Sequence, residues 1–135
     1  MVSFKAVIAG ILTDIAGSII AGVLVSIALV IYLVSNGADE NNMEAMIMEN
    51  MVRPPWSIIS FAMAALVSLM AGYVTAKVAK VQVYYAAGIV ALLTAAYGFY
   101  AGLGMYSHVM NAGVSVFSAA IVMLGAWLWR KRNPA

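Results

Sequence analysis

The sequence predicts an all-α membrane protein, a four-transmembrane-helix bundle, on three observations. Four apolar runs, Ala6–Val34, Trp56–Ala76, Val83–Gly104 and Val109–Trp129, each reach or exceed the roughly 20 residues a helix needs to cross hydrocarbon. Hydrophobic residues make up 65% of the chain and charged residues 9%, with a mean hydropathy of +1.00, outside the range of water-soluble domains. The flanking charges also alternate by side. Lys5 precedes the first run, Lys77 and Lys80 separate the second from the third, and Arg130, Lys131 and Arg132 follow the fourth, so six of the seven cations share one side. The other side receives Asp39, Glu40, Glu44 and Glu49 with only Arg53. Lys and Arg in short loops are retained in the cytoplasm, so this bias predicts an N-in/C-in protein of the cell inner membrane.

The first run begins like a secretory signal, with Lys5 ahead of apolar residues. It is far longer than the roughly 7–15 residues of such an apolar region, and Ser35–Ala38 makes a poor cleavage site, so it is expected to span and remain. Residues 35–55 form the one substantial segment outside the runs, opening on the turn-forming Asn36-Gly37 and closing on Pro54-Pro55. Within it Met43, Met46, Ile47 and Met51 recur at helical spacing among the acids, which predicts a short amphipathic helix on the outer surface. The tight inner turn Lys77–Gln82 predicts an antiparallel hairpin of the second and third helices, and Tyr106–His108 an equally tight outer turn. Tyr32, Trp56, Tyr106, Trp127 and Trp129 fall near the expected membrane surfaces, where amphipathic rings prefer to lie. One domain covers residues 1–135.

Apolar side chains gain nothing by leaving lipid for one another, so close backbone approach through small residues becomes the packing device. Gly17 and Ala21 in the first run, Gly72 in the second, and Gly98 and Gly102 in the third are the packing positions this predicts. Packing within one chain comes before a dimer face, because four helices must first pack with each other.

Asp14 is the only acid inside an apolar run. An ionisable group in hydrocarbon is expensive, so it faces the bundle and marks either a structural partner or an ion pathway. Counting back about 20 residues from Tyr32 as outer anchor reaches Thr13, which sets Asp14 a turn inside the inner boundary. Three readings follow: an ion pair with Lys77 or Lys80 or a bond to a hydroxyl such as Thr75, a proton- or cation-coupling carboxylate, or a contact to a partner subunit.

Two resemblances appear at this residue. Ile11-Leu12-Thr13-Asp14-Ile15-Ala16-Gly17 resembles the first-helix segment of the small multidrug resistance transporters, four-helix proteins whose membrane acid exchanges protons for cationic drugs. The chain departs from them in its acidic outer segment and in showing no clear counterpart of their aromatic cage in the third run. Phe4-Lys5-Ala6-Val7-Ile8-Ala9-Gly10 with Asp14, and Met70-Ala71-Gly72-Tyr73-Val74-Thr75-Ala76-Lys77, resemble small uncharacterised four-helix bacterial membrane proteins, which imply no activity.

Met43, Met46, Met48 and Met51 in the outer segment, with Met105, His108 and Met110 at the outer turn, form a thioether and imidazole set of the kind that suits Cu(I) or Ag(I). Methionine is equally an ordinary apolar residue of an interfacial helix. No nucleophile, base and orienting group occur at a recognisable spacing, the chain has no cysteine, and its basicity sits at helix ends, so enzyme, cofactor and nucleic-acid functions are not expected. The expectation is a non-enzymatic membrane protein, self-associating or an accessory subunit beside other membrane proteins, with a small oligomeric transporter or channel using Asp14 as the alternative.

Overall fold

The structure, a computed structural model, describes residues 3–134. Its helices are α1 (Phe4–Ser35), α2 (Met43–Met51), α3 (Trp56–Ala79), α4 (Val83–Ala101) and α5 (His108–Arg132), with a 3-10 turn at Glu40–Asn42 ahead of α2. Four of them, α1, α3, α4 and α5, are long and apolar enough to cross a membrane, and at most 28% of the most apolar window of each is buried. The rest of that surface faces outward: Leu12, Ile19, Leu92 and Val116 are between 60% and 72% exposed. Apolar patches that wide are not tolerated on soluble monomers, which makes lipid the solvent for these helices. The chain is a multi-pass helical membrane protein.

Local chemistry sets the helix ends. Ser3 and Ser107 cap α1 and α5, their hydroxyls accepting from the backbone N–H groups of Ala6 and Met110. α1 stops at Asn36, and Gly37 follows at φ +77°, a conformation glycine adopts without penalty. Arg130, Lys131 and Arg132 occupy the last turn of α5, where cations complement the helix dipole.

α3 is the hub. It packs along α1 on one side and α5 on the other, while α1 and α5 do not meet among the described residues. α4 packs chiefly on α5 and touches α3 and α1 less extensively, so the hairpin of α3 and α4 closes more through α5 than through itself. The core joins all four spanning helices through Ala6, Ala76, Ala86, Val90, Val122 and Ala126. It lies where α1 begins and α3 ends. This end carries Lys5, Lys77, Lys80 and Arg130–Arg132 and is called the basic end below; the other end carries Asp39, Glu40, Glu44 and Glu49.

The closest approaches are made by glycines. A Cβ on Gly72 would fall on the carbonyl oxygen of Val122, and one on Gly125 on the carbonyl oxygen of Leu69, so α3 and α5 cross backbone to backbone. Gly10 faces the Thr75 hydroxyl, Gly17 would bring a Cβ within 2.8 Å of Val67 Cγ1, and Gly102 lies against the Asn111 side chain. Ala21 is buried. Gly98 is looser, with nothing nearer to a built Cβ than Ser115 Oγ at 3.9 Å.

α2 turns Met43, Met46, Ile47 and Met51 to its half-buried face and leaves Glu44, Met48 and Glu49 exposed. Among the described helices it packs on α1 and α3. At the same end the Tyr32 and Trp56 rings meet at 5.7 Å, fastening α1 to the start of α3.

Candidate functional site: the Asp14 cleft

Asp14 follows the tightest point of α1 by one helical turn. At Gly10 the helix closes on Thr75 of α3 and on Val90 of α4, whose Cγ2 would stand 3.0 Å from a built Cβ. Beyond it α1 presents Ile15 and Ile19 and α4 presents Leu93 and Tyr97, all exposed. These side chains line a lateral cleft between the two helices. Its lower part is a cavity of about 300 Å³ lined by Ile11, Asp14, Ile15, Leu93, Thr94 and Tyr97. An adjoining cavity of about 280 Å³ shares Asp14, Ile15 and Tyr97 and adds Ser18 and Ile19.

Within this apolar cleft the half-buried Asp14 carboxylate accepts a hydrogen bond from Thr94 Oγ1 at 3.2 Å. It has no cation beside it. Among the described residues the one ion pair joins Arg53 to Glu49 at 2.8 Å, at the acidic end and exposed. Lys77 and Lys80 are exposed at the basic end. The Gly10–Thr75 contact explains the separation: Lys77 lies two residues past Thr75 and Asp14 four residues past Gly10 in the opposite direction, about 9 Å of axial offset at 1.5 Å per residue. Thr75 is also taken, its hydroxyl donating to the Ala71 carbonyl at 2.7 Å. The hydroxyl partner is thus on α4 rather than α3.

Asp14 lies level with the middle part of α4. Its partner Thr94 lies eleven residues into the nineteen of α4, about 16 Å from Val83 and about 10 Å from Ala101. α1 has 32 residues, about 48 Å; its Tyr32 meets Trp56, the first residue of α3, and Tyr106 of the α4–α5 turn stands against Phe61 of α3 with ring centroids 6.3 Å apart.

Tyr97 is the site residue that sequence reasoning missed. Its signal was its place three residues after Thr94, on the same face of α4. Asn111 was passed over as well. It is 3% exposed and donates its Nδ2 to the Phe99 carbonyl at 2.6 Å, bridging α4 and α5 where Gly102 makes room for it. Among the described residues α2 does not touch α5, which begins with His108 and carries Met110. Nor does any trio of His, Asp and Glu gather there.

A carboxylate with one neutral donor, walled by aliphatic and aromatic side chains and open sideways, is suited to holding a positive charge or a proton. Among the described residues no second acid lines either cavity, and the aliphatic hydroxyls there are those of Thr94 and Ser18. No family model matches the chain, and neither a curated protein nor a solved structure matches it.

Proposed function

We propose that this is a non-enzymatic, multi-pass protein of the cell inner membrane, with both termini in the cytoplasm, that takes a cationic solute into the Asp14 cleft and couples its passage to proton exchange on that carboxylate. The observation that carries the reading is a carboxylate midway along α4 with a hydroxyl donor and no cation. In apolar surroundings an ionised acid needs a positive partner, and without one it takes a proton. Alternation between those two occupied states is what coupling requires. Tyr97 adds an aromatic face of the kind that attracts organic cations. The likeness of Ile11–Gly17 to the small multidrug resistance transporters supports the same reading. The orientation rests on the cations gathered at the basic end.

A second reading is favoured by the lateral opening of the cleft. A basic side chain from a neighbouring membrane protein, or from a second copy, fits the same place, and the protein is then a self-associating or accessory subunit. Purified full-length protein in phosphatidylcholine vesicles separates the two. Tetraphenylphosphonium is expected to bind saturably at neutral pH and be released on acidification, as the carboxylate takes up its proton, and Asp14→Asn is expected to abolish binding. Absence of binding to the parent, with a stoichiometric partner retained in native mass spectrometry, overturns transport in favour of the subunit.

A further inference from the structure

A separate cavity opens at the basic end. The α3–α4 turn and the last turn of α5 enclose about 240 Å³ between Lys80, Val81, Gln82, Val83, Tyr84 and Arg130. Two like charges converge on this small space, and among the described residues neither has an acidic partner, since the one ion pair stands at the opposite end. Asp14, the nearest acid along α1, is engaged by Thr94 beyond the Ala and Val core. Two cations facing one space repel each other, and an anion between them reverses the sign of the interaction. Arg130 is partly buried, and its planar fork of donors matches the geometry of a phosphate. Gln82 and Tyr84 bring neutral donors to the same wall.

The rim identifies the source of the anion. Val81 and Tyr85 are 75% and 72% exposed, and Trp127, three residues before Arg130 on α5, is exposed as well. Exposed apolar and aromatic residues around a cationic pocket at the end of membrane-crossing helices belong at the level where headgroups meet acyl chains. We propose that this cavity binds the phosphate of an anionic phospholipid, with Lys80 and Arg130 as its charged ligands and Gln82 and Tyr84 as neutral donors. Lys131 is not part of it: its Nζ sits 5.1 Å from the Trp127 ring centroid, occupied by that aromatic face.

The test uses the full chain in nanodiscs of phosphatidylcholine titrated with phosphatidylglycerol, read by native mass spectrometry as lipid retained per protein. Lys80→Gln with Arg130→Gln is expected to weaken phosphatidylglycerol retention about tenfold, and Lys131→Gln with Arg132→Gln, the same charge loss outside the cavity, about twofold or less. Equal losses in the two doubles reduce the effect to general surface charge and overturn the site. Equal retention of the two lipids by the parent overturns it as well. Release of the lipid by millimolar inorganic phosphate overturns the lipid assignment in favour of a soluble phosphate. If the first double does not fold, Lys80→Gln alone removes one ligand on an exposed side chain and is expected to weaken retention about threefold, and unchanged retention there counts against the proposal.

Discussion

The α3–α5 crossing and the α1–α4 pair sit in one bundle and solve opposite problems. Where α3 meets α5, Gly72 and Gly125 lie against carbonyl oxygens of the partner helix, and the two backbones touch. Where α1 passes α4, the helices touch at Gly10 and then separate around Ile15, Ile19, Leu93 and Tyr97. Both pairs are apolar, so hydrophobicity does not explain the difference. In lipid, association comes from close van der Waals fit and from hydrogen bonds between helices, and small residues decide where that fit is available. The adhesive contact is therefore written in glycines, and the opening in the side chains that replace them. The one polar tie across the opening, Asp14 to Thr94, sits where the fit is lost.

The sharpest way to break this comparison is at the crossing. Gly72→Leu or Gly125→Leu drives a side chain into backbone atoms that cannot step aside, and each is expected to cost more than about 3 kcal/mol and to lose the monodisperse folded species in detergent. Retention of a parental melting temperature by either variant means that the α3–α5 contact is not what holds the bundle. A smaller effect is expected at Gly102, where the obstacle is the movable Asn111 side chain. Gly102→Leu displaces Asn111 from the Phe99 carbonyl and is expected to cost about 1–3 kcal/mol through that buried amide. Gly98→Ala, with Ser115 Oγ at 3.9 Å, is expected to be nearly neutral in the same thermal melt. The two glycines of one GxxxG thus separate into a tight and a loose position.

The Asp14 cleft gives a smaller effect than Gly72, Gly125 or Gly102. Because no lysine or arginine pairs with Asp14, Asp14→Asn leaves no cation stranded, and its amide oxygen still accepts from Thr94. The variant is expected to melt within about 1 kcal/mol of the parent, in keeping with the modest worth of hydrogen bonds between membrane helices. A large destabilisation would restore the ion-pair reading with Lys77 or Lys80.

How much of this was legible in the sequence follows from which contacts are local. The four spans were readable from length and hydropathy, and Gly17, Gly72 and Gly102 from spacing, because a stripe of small residues is a property of one helix. Which stripes meet is not. Gly125 was visible only as one small residue among several, and its contact with Leu69 depends on how α5 docks on α3. A hydroxyl such as Thr75 was one of the partners expected for Asp14, and the hydroxyl found there is that of Thr94, 80 residues away in sequence, while Thr75 lies against Gly10. Tyr97 escaped for the same reason as Gly125.

An effect of the opposite sign lies on the outward face of α5. Gly113 is exposed with nothing within 4 Å of a built Cβ, so it performs none of the work that Gly72 and Gly125 perform. In a helix interior a glycine without a packing partner is a net loss, because it gives up more backbone freedom on folding than alanine does. Gly113→Ala is therefore expected to raise stability by roughly 0.5–1 kcal/mol in a detergent melt. The sign of the change is the informative part. A rise leaves α5 facing lipid there and confines glycine-mediated adhesion to the interior of one chain. A fall, accompanied by loss of an oligomer in native mass spectrometry, means that a second copy packs against Gly113 as α3 packs against Gly125, and it moves self-association ahead of the single-chain bundle.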